Sequence, residues 1–386
     1  MFDLQQAAKK DSAFIQETWE KLDKKLSVTA ERSRDKIPYT TVNGVHNSQT
    51  GENIDGWTNG FWPGLMWLMY YGTKNEAYKI TAEHAEKLLD AALTNHDVLH
   101  HDVGFMWHIS AGADYRITGN KKARNRALFA ADTLAARFNL AGRYIRAWND
   151  WSTNENNSGW AIIDCMMNIP LLYWASRELN DPRYRYIAMA HADTTMQYHV
   201  RPDGSVKHIV IYDPVTGEYV ANVAGQGRAV DSSWSRGQAW ALHGFVLSYI
   251  HTGKQEYLDT AKRVAHYFIA NVCDDYLPKA DFRAPDEPLI YDTTAGACAA
   301  CGLLEIARHV PEYEGKIYYN AALNLLKALD ANFCNYSLDE DSIVQMGTER
   351  YLDDVNGRGV HIPIIYGDYY FTEAIYKLKG YDLLFE

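Results

Sequence analysis

The chain contains 386 residues and carries a formal net charge of −11 at pH 7. This acidic balance argues against a nucleic-acid partner, and an anionic substrate would need a local group of cationic or donor side chains. The first residues lack the apolar segment of a signal peptide, and the longest apolar run, 61–71, is too short and interrupted to span a bilayer. Five cysteines, mostly inside apolar stretches, favour a reduced, cytoplasmic protein without a membrane partner.

One kind of segment occurs six times along the chain: a helix-length apolar run whose N-terminal end carries aromatic and polar residues. The first five copies are each followed by a short turn and then by a more charged segment with a period of 3.6 residues. Apolar helices packed on all sides, each paired with an amphipathic helix facing water, are typical of a closed ring of hairpins. The six copies begin at Trp57, Gly104, Ile162, Trp234, Thr293 and Tyr366.

The amphipathic partners are predicted at 75–94, 121–138, 182–198, 254–272 and 316–333, and an N-terminal helix over about 4–26 would partner the sixth apolar helix. Twelve helices in this alternation predict an all-α fold, an (α/α)6 barrel of six helical hairpins. Because no stretch has the composition of a linker, we expect one domain over residues 1–386. A small β-hairpin is predicted in the long loop 200–233, where VKHIVIYD and EYVANVA flank the turn PVTG.

Two aspartates lie at the starts of apolar segments, Asp102 in HHDVGFMW and Asp164 in WAIIDCMMNIP. Either one alone is explained by helix capping, because a carboxylate there accepts free backbone N–H groups. The apolar neighbours of Asp164 favour the protonated form of a carboxyl group, which suits a proton donor. Two carboxylates at one mouth would suit glycoside chemistry.

Donor and stacking groups surround these aspartates in the sequence. Arg236 lies between two tryptophans and could bind a carboxylate, although pairing with an aspartate such as Asp231 explains it as well. His208 could equally be a packing residue of the hairpin. The candidate substrate-binding residues are Trp57, Asn59, His208, Gln226, Trp234, Arg236 and Trp240.

Metal and cofactor sites are not expected. His100 and His101 are adjacent, so their side chains should diverge, and the other histidines lack ligand spacing. Cys298 and Cys301 have C-x-x-C spacing, but they lie in a run of small residues that favours close helix packing. No nucleotide-binding or nucleophile-elbow motif is present.

Several motifs, spread in order over essentially the whole chain, resemble those of the unsaturated glucuronyl hydrolases of glycoside hydrolase family 88. They are WTNGFWPG, HHDVGF, IIDCMMNIPLL, SSWSRGQAW, ACGLLEIA and YGDYYFTEA. The resemblance implies a single (α/α)6 barrel that acts on oligosaccharides left by polysaccharide lyases, such as unsaturated chondroitin, hyaluronan or heparin disaccharides. It implies a monomer or weak oligomer without a cofactor.

The resemblance also implies a mechanism in which the enzyme hydrates a vinyl ether. A proton goes to C4 of the unsaturated uronate, water adds at C5, and the hemiketal opens and expels the remaining sugar. Asp164 would be the general acid and base, and Asp102 would hold ring hydroxyls and assist it. Six of the seven candidate binding residues, all except Asn59, match substrate-contacting positions, and Arg236 would face the substrate carboxylate.

Some alternatives remain open from the sequence. An unsaturated rhamnogalacturonyl hydrolase has the same fold and chemistry on pectin fragments. An (α/α)6 sugar epimerase would need paired histidines at the mouth, and a non-enzymatic sugar-binding scaffold would not need Asp164. The C-terminal stretch VNGRGVHIPIIYGDYY lacks the Ser/Lys cluster of some streptococcal relatives, so we expect no strong dependence on 6-sulfate unless Arg358 or His361 substitutes.

Overall fold

A computed structural model describes residues 1–150, 156–272 and 274–381. Residues 151–155, in the loop between the second and third hairpins, and Cys273 lie outside the described residues. No helix among the described residues has the length and apolar character needed to cross a membrane. The described residues form fourteen α-helices: α1 Leu4–Ala8, α2 Ser12–Arg32, α3 Phe61–Thr73, α4 Glu76–Leu93, α5 Val103–Trp107, α6 Ala111–Thr118, α7 Lys121–Ala136, α8 Pro170–Leu179, α9 Pro182–Tyr198, α10 Ser235–Thr252, α11 Gln255–Asn271, α12 Thr293–Arg308, α13 Glu312–Asn332 and α14 Ile365–Leu378.

The apolar helices form an inner ring. Helix α10 packs on α8 and α12, α12 packs on α14, and α14 packs on α3. Helix α3 contacts α6. Helix α5 packs against the start of the third apolar segment, because Gly104 lies against Asn168. Helix α12 is buried from Thr293 to Ala307, as expected for a helix covered on all sides.

The amphipathic helices form the outer layer. Helices α4, α7, α9, α11 and α13 each pack on the inner helix that precedes them, and α2 packs on α14 and α4. The prediction of an all-α chain of helical hairpins is therefore confirmed, and its packing is consistent with an (α/α)6 barrel. The N-terminal element differs from the prediction, because a 3₁₀ turn at Lys9–Asp11 separates α1 from α2, which continues to Arg32.

A repeated two-residue turn joins inner to outer helices. Helices α3, α6, α8 and α10 are each followed by a residue with left-handed backbone, and the next residue precedes the first residue of the outer helix. In three of these turns the second residue is Asn or Asp, whose side chain accepts a backbone N–H of the outer helix. The turns are Lys74–Asn75, Gly119–Asn120, Asn180–Asp181 and Gly253–Lys254.

The N-terminal starts of the inner segments are irregular where the sequence predicts continuous helices. The second segment breaks between α5 and α6 at residues 108–110, where the Ser110 hydroxyl donates to the carbonyl of Met106. The third begins as a strand and a 3₁₀ helix, Ile163–Met167, before α8. These breaks set the direction of the side chains at the barrel mouth.

Within the described ranges, three small antiparallel sheets accompany the helices. The predicted hairpin is confirmed, and its first strand also pairs with the start of the third inner segment, so the sheet has three strands. The backbone N–H of Ile163 donates to the carbonyl of His208 at 3.0 Å, which ties the hairpin to the residue before Asp164. The strands are β1 Thr41–Val42, β2 Val45–His46, β3 Phe138–Asn139, β4 Tyr144–Ile145, β5 Trp160–Ile162, β6 Ile209–Tyr212 and β7 Tyr219–Val223.

Candidate active site

Asp102 lies directly before α5, and its side chain makes no capping hydrogen bond to that helix. It is 5% exposed, and its Oδ1 accepts from the Asn168 Nδ2 at 3.0 Å. Its Oδ2 lies 3.3 Å from His100 Nδ1 and 3.3 Å from His101 Nε2. Burial alone would raise the pKa of Asp102, but the charge attraction of the neighbouring histidines, first His101 and then His100, outweighs it and lowers the pKa well below its usual range. Asp102 is therefore held as a carboxylate.

The expected divergence of His100 and His101 is wrong. The backbone turns at residues 101–102, so both imidazoles face the same carboxylate oxygen, with ring centres 5.9 Å apart. Adjacent side chains diverge in a regular strand or helix, and this segment is neither.

Asp164 lies in the 3₁₀ helix that opens the third segment and is 6% exposed. Its Oδ1 makes no hydrogen bond among the described residues and lies 3.3 Å from His208 Nε2. The backbone N–H of Gln226 donates to His208 Nδ1 at 2.9 Å, so Nδ1 carries the lone pair and the neutral ring carries its proton on Nε2. The ring proton of His208 therefore faces Asp164 but makes no hydrogen bond to it. Because Oδ1 has no hydrogen bond, the carboxyl group can exchange a proton with a ligand.

Asn168 links the two aspartates, and the sequence analysis did not single it out. Its Nδ2 donates to Asp102 Oδ1 and, at 3.2 Å, to the backbone carbonyl of Asp164. Its Oδ1 accepts from the backbone N–H of Phe105 at 2.8 Å. Asn168 is fully buried, so all of these polar atoms are satisfied away from water. The sequence does mark Asn168 in one way, because it is a polar amide inside the apolar run CMMNIPLL and a buried amide needs hydrogen-bond partners.

Three of the seven candidate binding residues, Trp57, Gln226 and Arg236, line a cavity of about 400 Å³. Neither aspartate lines it, and Gln226 connects it to Asp164 through the ring of His208. Trp57 stacks on Tyr366 with ring centres 5.1 Å apart. The Gln226 side chain donates to the carbonyl of Glu349 at 2.6 Å. The other lining residues are Tyr39, Gln49, Asn53, Gly56, Thr58, Glu349, Arg350 and Tyr366.

The other four candidates lie behind this cavity. Trp234 packs against His208, with ring centres 4.5 Å apart. Asn59 is fully buried and donates to the carbonyls of Asn53 and Ile54, so it shapes the loop that carries the cavity wall. Trp240 is also fully buried and packs under Phe105.

Arg236 is 1% exposed and pairs with Asp292, whereas the sequence offered Asp231 as the alternative partner. It also donates to the carbonyls of Thr348 and Glu349, at 2.5 and 2.6 Å. Burial lowers the pKa of Arg236, and the carboxylate of Asp292 reverses this effect and raises it above its usual value. Its Nε has no partner among the described residues. At the rim, exposed Arg350 also lines the cavity.

Comparison with known proteins agrees with this geometry. The model of Glycosyl Hydrolase Family 88 matches residues 29–278. The chain belongs to glycosyl hydrolase family 88. An unsaturated glucuronyl hydrolase of Bacillus sp. (strain GL1) is 35% identical over 92% of the chain and 94% of its own length. An unsaturated chondroitin disaccharide hydrolase of Streptococcus pneumoniae is 35% identical over 85% of the chain and 83% of its own length.

A solved structure supports the same family. The unsaturated glucuronyl hydrolase of Streptococcus agalactiae superposes with a TM-score of 0.87 at 31% identity, covering 96% of the chain and 93% of that structure. The prediction of a glycoside hydrolase of the unsaturated glucuronyl hydrolase type is confirmed. The epimerase and scaffold alternatives are not supported.

Proposed function

We propose that this family 88 hydrolase removes the 4,5-unsaturated uronate from lyase-generated glycosaminoglycan disaccharides by hydrating the C4=C5 bond. The observation that carries the assignment of roles is the pair of buried aspartates joined by Asn168, which His208 and Gln226 connect to the cavity. Asp102 is held ionised by its histidines, while Asp164 has an oxygen with no hydrogen bond. Two carboxyl groups in such different surroundings are suited to different roles.

Asp164 is the group that transfers protons in this proposal. It gives its proton to C4, and the positive charge that develops at C5 and the ring oxygen is stabilised by the nearby carboxylate of Asp102. The N–H of His208 then faces the new carboxylate at Asp164 Oδ1. The oxygen of a water molecule then bonds to C5 while the carboxylate of Asp164 takes a proton from that water. This proton transfer restores the acid. The resulting hemiketal opens between C5 and the ring oxygen, which leaves a ketone at C5 and a hemiacetal at C1. The hemiacetal collapses to an aldehyde, and the bond from C1 to the second sugar breaks.

The cavity supplies binding groups for an anionic sugar. Trp57 offers an aromatic face, and Arg350 offers a cation without a hydrogen bond or ion pair to the described residues. The Nη1 atom of Arg236 is paired with Asp292, so the guanidinium cannot bind the substrate carboxylate through both terminal nitrogens. Arg236 contributes its positive charge and its Nε, which has no partner among the described residues. We therefore assign the substrate carboxylate to the Arg236–Arg350 side of the cavity. His361 accepts a backbone N–H from Tyr291 and does not line this cavity.

The test follows the ultraviolet absorbance of the conjugated uronate with unsaturated chondroitin, hyaluronan and heparin disaccharides. Wild type should remove the absorbance of at least one of them, and Asp164→Asn should lose at least about 100-fold in rate, the size expected for a general acid. Asp114→Asn is the matched control, because Asp114 is a buried aspartate bound to Thr118 and Asn120 in the second hairpin. It should stay close to wild type. Activity only on unsaturated rhamnogalacturonan would contradict the substrate assignment.

The reaction compartment is part of the proposal. The described cysteines Cys165, Cys298, Cys301 and Cys334 are all free. Cys298 and Cys301 contact His243 and the carbonyl of Tyr370 rather than each other, which agrees with a packing role. Free, buried thiols support a reducing, cytoplasmic setting.

A further inference from the structure

Three potential metal ligands converge in front of α5. His100 Nδ1 and His101 Nε2 each lie 3.3 Å from Asp102 Oδ2, and one ligand atom from each residue lies within 4.8 Å of the others. It is the only cluster of three such ligands among the described residues. Two imidazoles and a carboxylate form a ligand set that Zn²⁺ and related ions bind.

The two nitrogen-to-oxygen distances are compatible with a four-coordinate ion. Zn²⁺ binds nitrogen and oxygen at about 2.0–2.2 Å, so neighbouring ligands of a tetrahedral site lie roughly 3.3–3.5 Å apart. Both nitrogen-to-oxygen distances here, 3.3 Å, are at the lower edge of that range. Three protein ligands leave one position open for water or a ligand.

The ligand atoms also need a cation. His101 is fully buried, and neither of its ring nitrogens makes a hydrogen bond among the described residues. His100 Nδ1 faces both the backbone N–H of Asp102, at 3.4 Å, and the carboxylate oxygen, at 3.3 Å. Such an arrangement needs either added protons or a metal ion between the three atoms.

The surroundings orient the carboxylate and give access. Asn168 holds Asp102 Oδ1, which fixes the other oxygen towards the histidines, as supporting residues do in metal sites. The His100 side chain is 22% exposed, so an ion can reach the cluster from solvent.

We infer that His100, His101 and Asp102 bind a divalent transition-metal ion of the Zn²⁺ class, and that the bound ion inhibits hydrolysis by coordinating Asp102. The binding site stands on geometry alone, whereas the inhibition rests on the proposed function of Asp102. No redox or covalent step is involved.

Binding is measured first, with tag-free protein and Zn²⁺ alone by calorimetry, and with Co²⁺ by its visible absorption. Wild type should bind one ion per chain, without a thiolate-to-metal absorption band. His100→Gln should weaken binding at least about 100-fold, since loss of a supporting group alone costs 10–100-fold. His84→Gln is the matched control, because His84 forms a surface pair with Asp35 at 3.1 Å that lacks a second histidine. It should bind as wild type does.

The inference is overturned if wild type shows no saturable site, or if His100→Gln binds as tightly as wild type. Hydrolysis of the unsaturated disaccharides is then followed against Zn²⁺ concentration. Inhibition is supported if activity falls by half at the Zn²⁺ concentration that half-saturates the site, and if a chelator restores it. Full activity of the Zn²⁺-saturated protein refutes inhibition. A metal-free wild type that hydrolyses no disaccharide contradicts the proposed function instead, and the calorimetric result stands apart from it.

Discussion

A single methyl group at Gly225 should remove activity by displacing His208. Gly225 has a φ of +63°, and a Cβ there would lie 1.9 Å from His208 Nδ1, whereas ordinary contacts begin at 3.4 Å. The imidazole would have to move by about 1.5 Å, because the hairpin backbone around it is held by β6 and β7. The movement breaks the Gln226 hydrogen bond and takes the ring proton away from Asp164. We expect Gly225→Ala to lose about 100-fold in kcat, the scale reported for displacements near 1 Å in an active site.

Gly253→Ala separates this displacement from backbone strain. Gly253 has a φ of +71°, and no atom lies within 4 Å of an added Cβ. Both variants should lose about 1 kcal/mol of unfolding free energy from the left-handed backbone. Only Gly225→Ala should lose kcat in the absorbance assay. If Gly225→Ala keeps kcat within about threefold of Gly253→Ala, His208 does not position Asp164 as argued, because the structural change is then tolerated.

Three further predictions test other parts of the molecule. Asn168→Ala should lower kcat by about 10–100-fold and cost about 1–3 kcal/mol of unfolding free energy, measured in urea, because the amide joining the aspartates is lost; unchanged kcat would contradict its role. Arg350→Ala should raise KM about tenfold with little change in kcat if Arg350 binds the substrate carboxylate, which initial-rate measurements check against a neutral substrate methyl ester. Burial and the negative charge of Glu305 raise the pKa of Glu373 to about 7 from 4.5, against the opposing effect of Lys377, which both carboxyl groups contact. The stabilising contribution of Glu373 is therefore complete below about pH 4.5 and is lost as the pH rises to 7. Relative to Glu373→Gln, the wild type should lose about 3 kcal/mol of unfolding free energy, or about 4 °C in Tm, between these pH values. Parallel curves of Tm against pH for the two proteins would refute the shift.

The regular helices were predictable because burial on one side fixes a 3.6-residue period. Helix α9 begins and ends where the sequence places it, at Pro182 and Tyr198. There the signals coincide, since Asp181 caps the helix, Pro182 fits its first position, and apolar residues recur on one face. The same agreement locates the two-residue turns between inner and outer helices.

The segment starts were less predictable because tertiary contacts override helix propensity there. Trp160–Ile162 becomes a strand only because β6 pairs with it from about 50 positions later in the chain. Arg236 could be seen to need a carboxylate, but its partner Asp292 lies 56 positions away, and proximity in sequence favoured Asp231. His100 and His101 both face Asp102 because the backbone turns at residues 101–102. The spacing of apolar residues predicts helices and strands but not an irregular turn of this kind.

The acidic chain nevertheless offers a favourable site for an anionic sugar, because local fields differ from the net charge. Helices α10 and α14 begin at the mouth, where Arg236 and Tyr366 lie in their first turns. A helix start carries partial positive charge, which adds to that of Arg236 and Arg350, and here the first N–H of each helix donates to a carbonyl, of Ala280 or of Tyr39. Asp292 offsets part of this charge and in return fixes the guanidinium of Arg236. The cavity therefore has cationic groups that the net charge of −11 does not reveal, and they face one acidic lining residue, Glu349.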